Sequence, residues 1–217
     1  MKEFKPKPDN NGDNFGLHMV NAFDVSDENI SNRKVCVVDS GYDQGNPNLP
    51  KEYEEGWSPW GDAQPWYKDG TGHGTHVAGI IVATNNDKSA MQGVIRNGQL
   101  PLFISKIQQG PKIKRTSYIC TALHKCVEAG ANIINMSFYV HQNNCLKSAL
   151  DKASRNDVLL IAAAGNLGNT EQGTRYSYPA SYDNVVSVAA VNADKTHASF
   201  SQRNDQVDIA GCTGSKN

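Results

Sequence analysis

Apolar positions along this chain gather into short runs, separated by connections rich in glycine, proline and asparagine. Val35–Val38 is an unbroken apolar run, as a strand buried on both faces requires. Leu102–Ile107, Asn132–Ser137, Val158–Ala164, Val185–Val191 and Val207–Ala210 read as further strands. Between them the period lengthens. A helix begins near His73 and runs to about Thr84. A second covers Thr116–Ala129, with Ile119, Leu123 and Cys126/Val127 at helical spacing and Gly130 as its stop. Asn143–Arg155 reads as a third. This alternation predicts an α/β fold, doubly wound, with a mainly parallel sheet and helices on both faces. Glu52–Gly72, rich in Trp, Pro, Gly and Asp, reads as surface loop. No internal repeat or low-complexity linker divides the chain. Residues 1–217 are therefore expected to form one domain with a polar N-terminal arm over about 1–15.

Composition narrows the function classes more than the fold. A net charge of −1 gives no electrostatic reason to expect nucleic acid or an acidic membrane as partner. No apolar run approaches the ~18 residues of a spanning helix. The N-terminus, Met1-Lys2-Glu3-Phe4-Lys5-Pro6, carries no apolar signal core. Five cysteines, an odd number, are too sparse for a disulfide scaffold, and at least one thiol must stay unpaired within the chain. Cys120 and Cys126 lie on different faces of one helix and cannot bridge. Cys120 and Cys145 each fall near the start of consecutive helices that should lie side by side, so they are the expected pair.

Two segments carry chemistry. Asp39 ends the Val35–Val38 run and is followed by Ser40-Gly41. Functional groups in parallel α/β sheets gather at such carboxyl ends. A carboxylate there can hold a histidine in one tautomer, although a turn or capping aspartate looks the same in sequence. His73 opens a helix after Asp69-Gly70-Thr71-Gly72. His73 and His76 stand three apart, whereas zinc proteases need a spacing of about four with an intervening Glu that is absent here.

Asp39 in VVDSG and His73 in HGTHVAG resemble the acid and base motifs of the subtilisin-like serine proteases. Ala162-Ala163-Ala164-Gly165-Asn166 resembles that family's oxyanion-hole segment, and Ile134-Asn135-Met136-Ser137 its substrate-binding strand. The four motifs occur in family order, and the resemblance runs from about Gly16 to the end. The family's representative acid–base spacing of about 32 residues compares with 34 between Asp39 and His73. The resemblance implies an endopeptidase in which Asp39 orients, His73 is the general base and Asn166 donates to the oxyanion. Ala163, Ala164 and Gly165 would line one wall of the specificity pocket, and Ser137 would begin the other. It also implies a monomer acting on peptide or protein substrates with no required cofactor, and an extracellular or secretory setting. The bond before Pro179 in Tyr178-Pro179-Ala180 is expected to be cis, as in the segment it resembles.

The match has gaps. Family spacing puts the nucleophilic serine near position ~232, beyond Asn217. Ser215, in Thr213-Gly214-Ser215-Lys216, lacks the family's Gly-Thr-Ser arrangement. The buried helix that follows the nucleophile is expected beyond this point too, so the core should be incomplete. After Ser137 the family carries glycines, where this chain has Phe138-Tyr139-Val140, side chains that would crowd the cleft. Lys112-Ile113-Lys114-Arg115 replaces a glycine-rich substrate edge and reads as a basic loop. A structural calcium is implied only weakly: Asn85, Asn86 and Asp87 resemble the family's loop, but Asn48 stands where a carboxylate is usual. Three readings remain open here: a serine protease completed by residues beyond Asn217, an inactive peptide-binding relative, and a hydrolase with another nucleophile such as Cys212.

Overall fold

The computed structural model describes residues 14–52, 54–86, 92–110, 113 and 115–212. Seven parallel strands form one sheet: β1 (Val35–Asp39), β2 (Glu54–Trp57), β3 (Leu102–Lys106), β4 (Ile133–Met136), β5 (Leu159–Ala163), β6 (Val186–Val191) and β7 (Ile209–Cys212). Their spatial order is β2-β3-β1-β4-β5-β6-β7. The helices are α1 (Phe15–Met19), α2 (His73–Val82), α3 (Thr116–Glu128) and α4 (Asn144–Arg155). The doubly wound α/β expectation holds. The sheet reverses direction of growth around β1, between β3 and β4, and Asp39 lies at the carboxyl end of that strand. Open α/β sheets bind their ligands at such a switch point.

The two faces of the sheet are covered unequally. On one face, α3 and α4 bury Ile119, Leu123, Leu146 and Leu150 against Cys36, Val38, Ile134, Met136, Leu160 and Ala162. On the other, α2 covers Val35, Val37, Leu102 and Ile104 with Ala78 and Val82. That second layer stops short. Ile161 pairs in register with Val186, and Val188 with Ile209, so these residues share a face across β5, β6 and β7. Leu159 on the same face is 47% exposed and Ile209 56%.

Four details depart from the sequence reading. The 52–72 segment is not all loop: Glu54–Trp57 pairs with β3 as the sheet's edge. An edge strand needs only one buried face, and Glu-Glu-Gly-Trp lacks the apolar run that marks the central strands. The last strand begins two residues later than Val207, because Asp208 turns its carboxylate back to accept from the Ser187 amide. The short helix α1 lies at the start of the described chain, and residues 1–13 of the arm fall outside it. The cysteines make two bridges. Cys120–Cys145 joins α3 to α4 as expected, with Cα atoms 6.2 Å apart. Cys36–Cys126 joins β1 to α3 across 90 residues and was not anticipated, since helix-face arithmetic gives no distance to a strand. Cys212 remains a free thiol. The Tyr178–Pro179 bond is cis.

Candidate functional site

Asp39 is 4% exposed at the end of β1, and its Oδ1 lies 2.8 Å from His73 Nδ1. The same oxygen accepts the Ser40 amide at 2.7 Å. A carboxylate acceptor requires the proton on Nδ1, which leaves Nε2 as the basic nitrogen of the neutral ring. His73 itself is half exposed. Its pKa is raised above the ordinary value, first by the hydrogen bond with Asp39, against the opposing effect of burial, and then by the charges of Asp39 and Asp69.

The first turn of α2 is built to bring that ring to the strand end. Gly72, the N-cap, has φ 80° and no capping side chain. Neighbouring groups satisfy the orphan amides instead. Thr71 Oγ1 accepts from His73, Ser40 Oγ from Gly74, and Asp69 Oδ2 from Thr75. A Cβ at position 74 would stand 2.4 Å from the Gly41 carbonyl oxygen and 3.1 Å from Asp39 Cβ, so only glycine lets the helix approach β1 this closely. Lys106, in register with Asp39 on β3, is buried, and its ammonium donates to the carbonyls of Pro65 and Lys68. Burial holds its pKa below the usual lysine value.

Asp39, Gly70, Thr71, His73, Ile107, Gln108, Gly110, Ser137 and Phe138 line one pocket of about 390 Å³. The structure thus brings Asp39, His73 and Ser137 to a single cleft. Phe138 stands in its wall, where the sequence led one to expect crowding. Asn166 and the Ala163–Gly165 segment end β5, separated from β1 by β4, two strand spacings or about 10 Å away. Asn166 is exposed, whereas Ala164 is buried, its amide donating to Val188. Gly165 has φ 112°, and a Cβ there would meet Gln202 Oε1 at 2.0 Å and Ser177 Oγ at 2.8 Å. Gln202 is held by Ser177, by the Arg175 carbonyl and through its own amide by the Gly165 carbonyl. The sequence reading missed Ser40, Asp69 and Thr75 as builders of the site. An Asp two residues before a Thr, ahead of a glycine and a helix, is a recognisable Asx-turn signal.

The other candidates do not join this cleft. Cys212 is on the edge strand β7, four strands from β1, at ~19 Å by strand spacing alone, and burial raises its thiol pKa. Both facts argue against it as the nucleophile. Ser215 and Asp87 lie outside the described residues, as do Lys112 and Lys114. Arg115 places its guanidinium 5.9 Å from the ring centre of Tyr118. Part of the segment that resembles the calcium loop lies within the described residues. Asn86 points its amide nitrogen at the Pro47 carbonyl, 3.1 Å away, and the Asn48 carbonyl accepts from Thr84. No group of three His, Cys, Asp or Glu side chains forms a metal site among the described residues.

Residues 31–213 match the family model described as the Subtilase family. The chain belongs to the subtilase family. Subtilisin amylosacchariticus of Bacillus subtilis subsp. amylosacchariticus is 34% identical over 180 residues, covering 82% of this chain and 46% of the relative. An intracellular serine protease of Paenibacillus polymyxa is 33% identical over 181 residues, covering 81% of this chain and 55% of the relative. The psychrophilic subtilisin-like protease Apa1 from the Antarctic psychrotroph Pseudoalteromonas sp. AS-11 superposes with a TM-score of 0.82 at 39% identity, over 91% of this chain and 45% of that one. A lanthipeptide protease shares the fold with a TM-score of 0.72 at 21% identity, over 92% of this chain and 60% of that one. This subtilase chain spans about half the length of the first of these relatives.

Proposed function

We propose that these residues form the acid–base and oxyanion part of a subtilisin-like serine endopeptidase, whose nucleophilic serine is supplied by residues beyond Asn217. The observation that carries this reading is the 2.8 Å contact between Asp39 Oδ1 and His73 Nδ1, at a sheet switch point beside an open pocket. In this mechanism His73 Nε2 takes the serine hydroxyl proton as the oxygen attacks a peptide carbonyl. Asp39 stays ionised and stabilises the imidazolium. The Asn166 carboxamide donates to the developing oxyanion, a contribution of about 3–4 kcal/mol to the barrier. His73 then returns the proton to the leaving amine, and water releases the acyl group by the reverse of the first step. Substrates are peptides or proteins lying across Ser137 and the end of β5.

Labelling with a serine-directed fluorophosphonate tests this reading. A polypeptide of residues 1–217 should not label. The same residues joined in cis to a downstream segment bearing Gly-Thr-Ser should label, and His73→Ala should abolish it, since the hydroxyl needs its base. Strong labelling of the 217-residue polypeptide that Ser215→Ala removes would overturn the assignment. A second reading, a peptide-binding relative without turnover, draws support from Phe138 in the pocket wall. It predicts peptide binding without labelling even when the serine is present.

A further inference from the structure

We propose that Asp69 is a second positioning carboxylate for His73: from the loop before α2 it clamps the first turn of the helix that carries the imidazole and places a second negative charge beside it. This rests on the reading of His73 as the general base. Asp69 Oδ1 accepts the amides of Thr71 and Gly72, each at 3.0 Å. Its Oδ2 accepts the Thr75 amide at 2.9 Å and the Thr75 hydroxyl at 2.7 Å. The Thr75 hydroxyl oxygen in turn accepts the Asp43 amide, tying the turn to the segment after β1. One carboxylate therefore spans the residues on both sides of His73. With Gly72 as a cap that has no side chain, Asp69 supplies what the capping residue cannot.

The charge has a separate consequence. His73 is the first residue of α2, at the positive end of the helix dipole, where an imidazolium is disfavoured. The reaction requires that imidazolium to form. A carboxylate at the same helix end offsets the dipole where the proton arrives. Asp69 is ionised at any working pH. Burial works to raise its pKa, but hydrogen bonds from Thr75 and Thr71 outweigh it and hold the value at about 2. The charges that act on His73 are those of Asp39, in contact with it from β1, and of Asp69 in the loop. Lys106 faces Asp69 from β3 and anchors the loop by its carbonyls. His76 is the other titratable side chain on α2.

The decisive measurement is the titration of the His73 Cε1–H resonance by NMR in the protein, in Asp69→Asn and in Asp69→Glu, with the thermal midpoint of each recorded. Asp69→Asn keeps the shape and loses the charge. Its His73 midpoint should fall by about half a pH unit or more, whereas Asp69→Glu should stay near the wild-type midpoint. An unchanged midpoint in a folded Asp69→Asn, with only the thermal midpoint lowered, would reduce Asp69 to a structural cap and overturn the proposal. Should Asp69→Asn not fold, Asp69→Ser serves as the neutral variant. Should neither fold, a displaced His73 midpoint in Asp69→Glu overturns it. The titration needs no nucleophile, so failure of the serine-completed polypeptide to label would count against the proposed function and leave this result standing.

Discussion

His73 holds its proton more tightly than a free imidazole, because the Asp39 hydrogen bond outweighs burial and the charges of Asp39 and Asp69 add to it. As the proposed general base, His73 must be neutral to act. Labelling of the completed enzyme should therefore rise with pH through a midpoint above the ordinary histidine value of ~6.5, and a pH–rate profile checks this. Stability runs the other way. A raised folded pKa gives a contribution fully present below the unfolded value and lost as pH climbs through the folded one. Across the sheet, Gly165 makes a different demand. Its φ of 112° and the pinned Gln202 leave no room for a methyl group. Gly165→Ala should cost at least ~2 kcal/mol by chemical denaturation; a loss below half of that would mean Gln202 swings aside freely. The meeting of Asp39 with His73 was legible from their two motifs because each local string is unusual. Asp69 was not read as a builder, since its partners at positions 71, 72 and 75 become a single shell only when the turn is folded.

Elements were legible where burial is symmetrical. β1 and β3 bury every residue, and Val35–Val38 and Leu102–Ile104 announce them as apolar runs. β2 did not, because an edge strand of Glu-Glu-Gly-Trp is fixed by its pairing with β3 and not by its own pattern. Helices α2, α3 and α4 followed the apolar period closely, and α4 shows why its start was readable: Asn143 accepts the Cys145 amide at 2.9 Å and the Leu146 amide at 3.3 Å. Asn143→Ala should lower stability by about 1 kcal/mol, seen as a fall in thermal midpoint of about 2–4 °C. Asn143→Asp should retain most of it. Equal losses in both would show that the cap contributes through something other than its acceptor oxygen.

At the scale of the whole molecule, the uneven cover of the sheet dominates. Leu159, Ile161, Val186, Val188 and Ile209 form an apolar half-face with no helix over it among the described residues. Patches of this kind bind dyes and one another. A polypeptide of residues 1–217 should bind anilinonaphthalene sulfonate strongly and grow in apparent mass with concentration. Ile209→Lys should reduce both; a monodisperse, dye-silent wild-type polypeptide would show that the face is covered in solution. The strand order has a consequence of another kind, for synthesis. β1 lies mid-sheet, and both its neighbours, Leu102–Lys106 and Ile133–Met136, are made after it. At about 5–20 residues per second, a ribosome needs several seconds to deliver the first of them. For that interval Val35–Val38, apolar throughout, waits without either of the strands it will pair with.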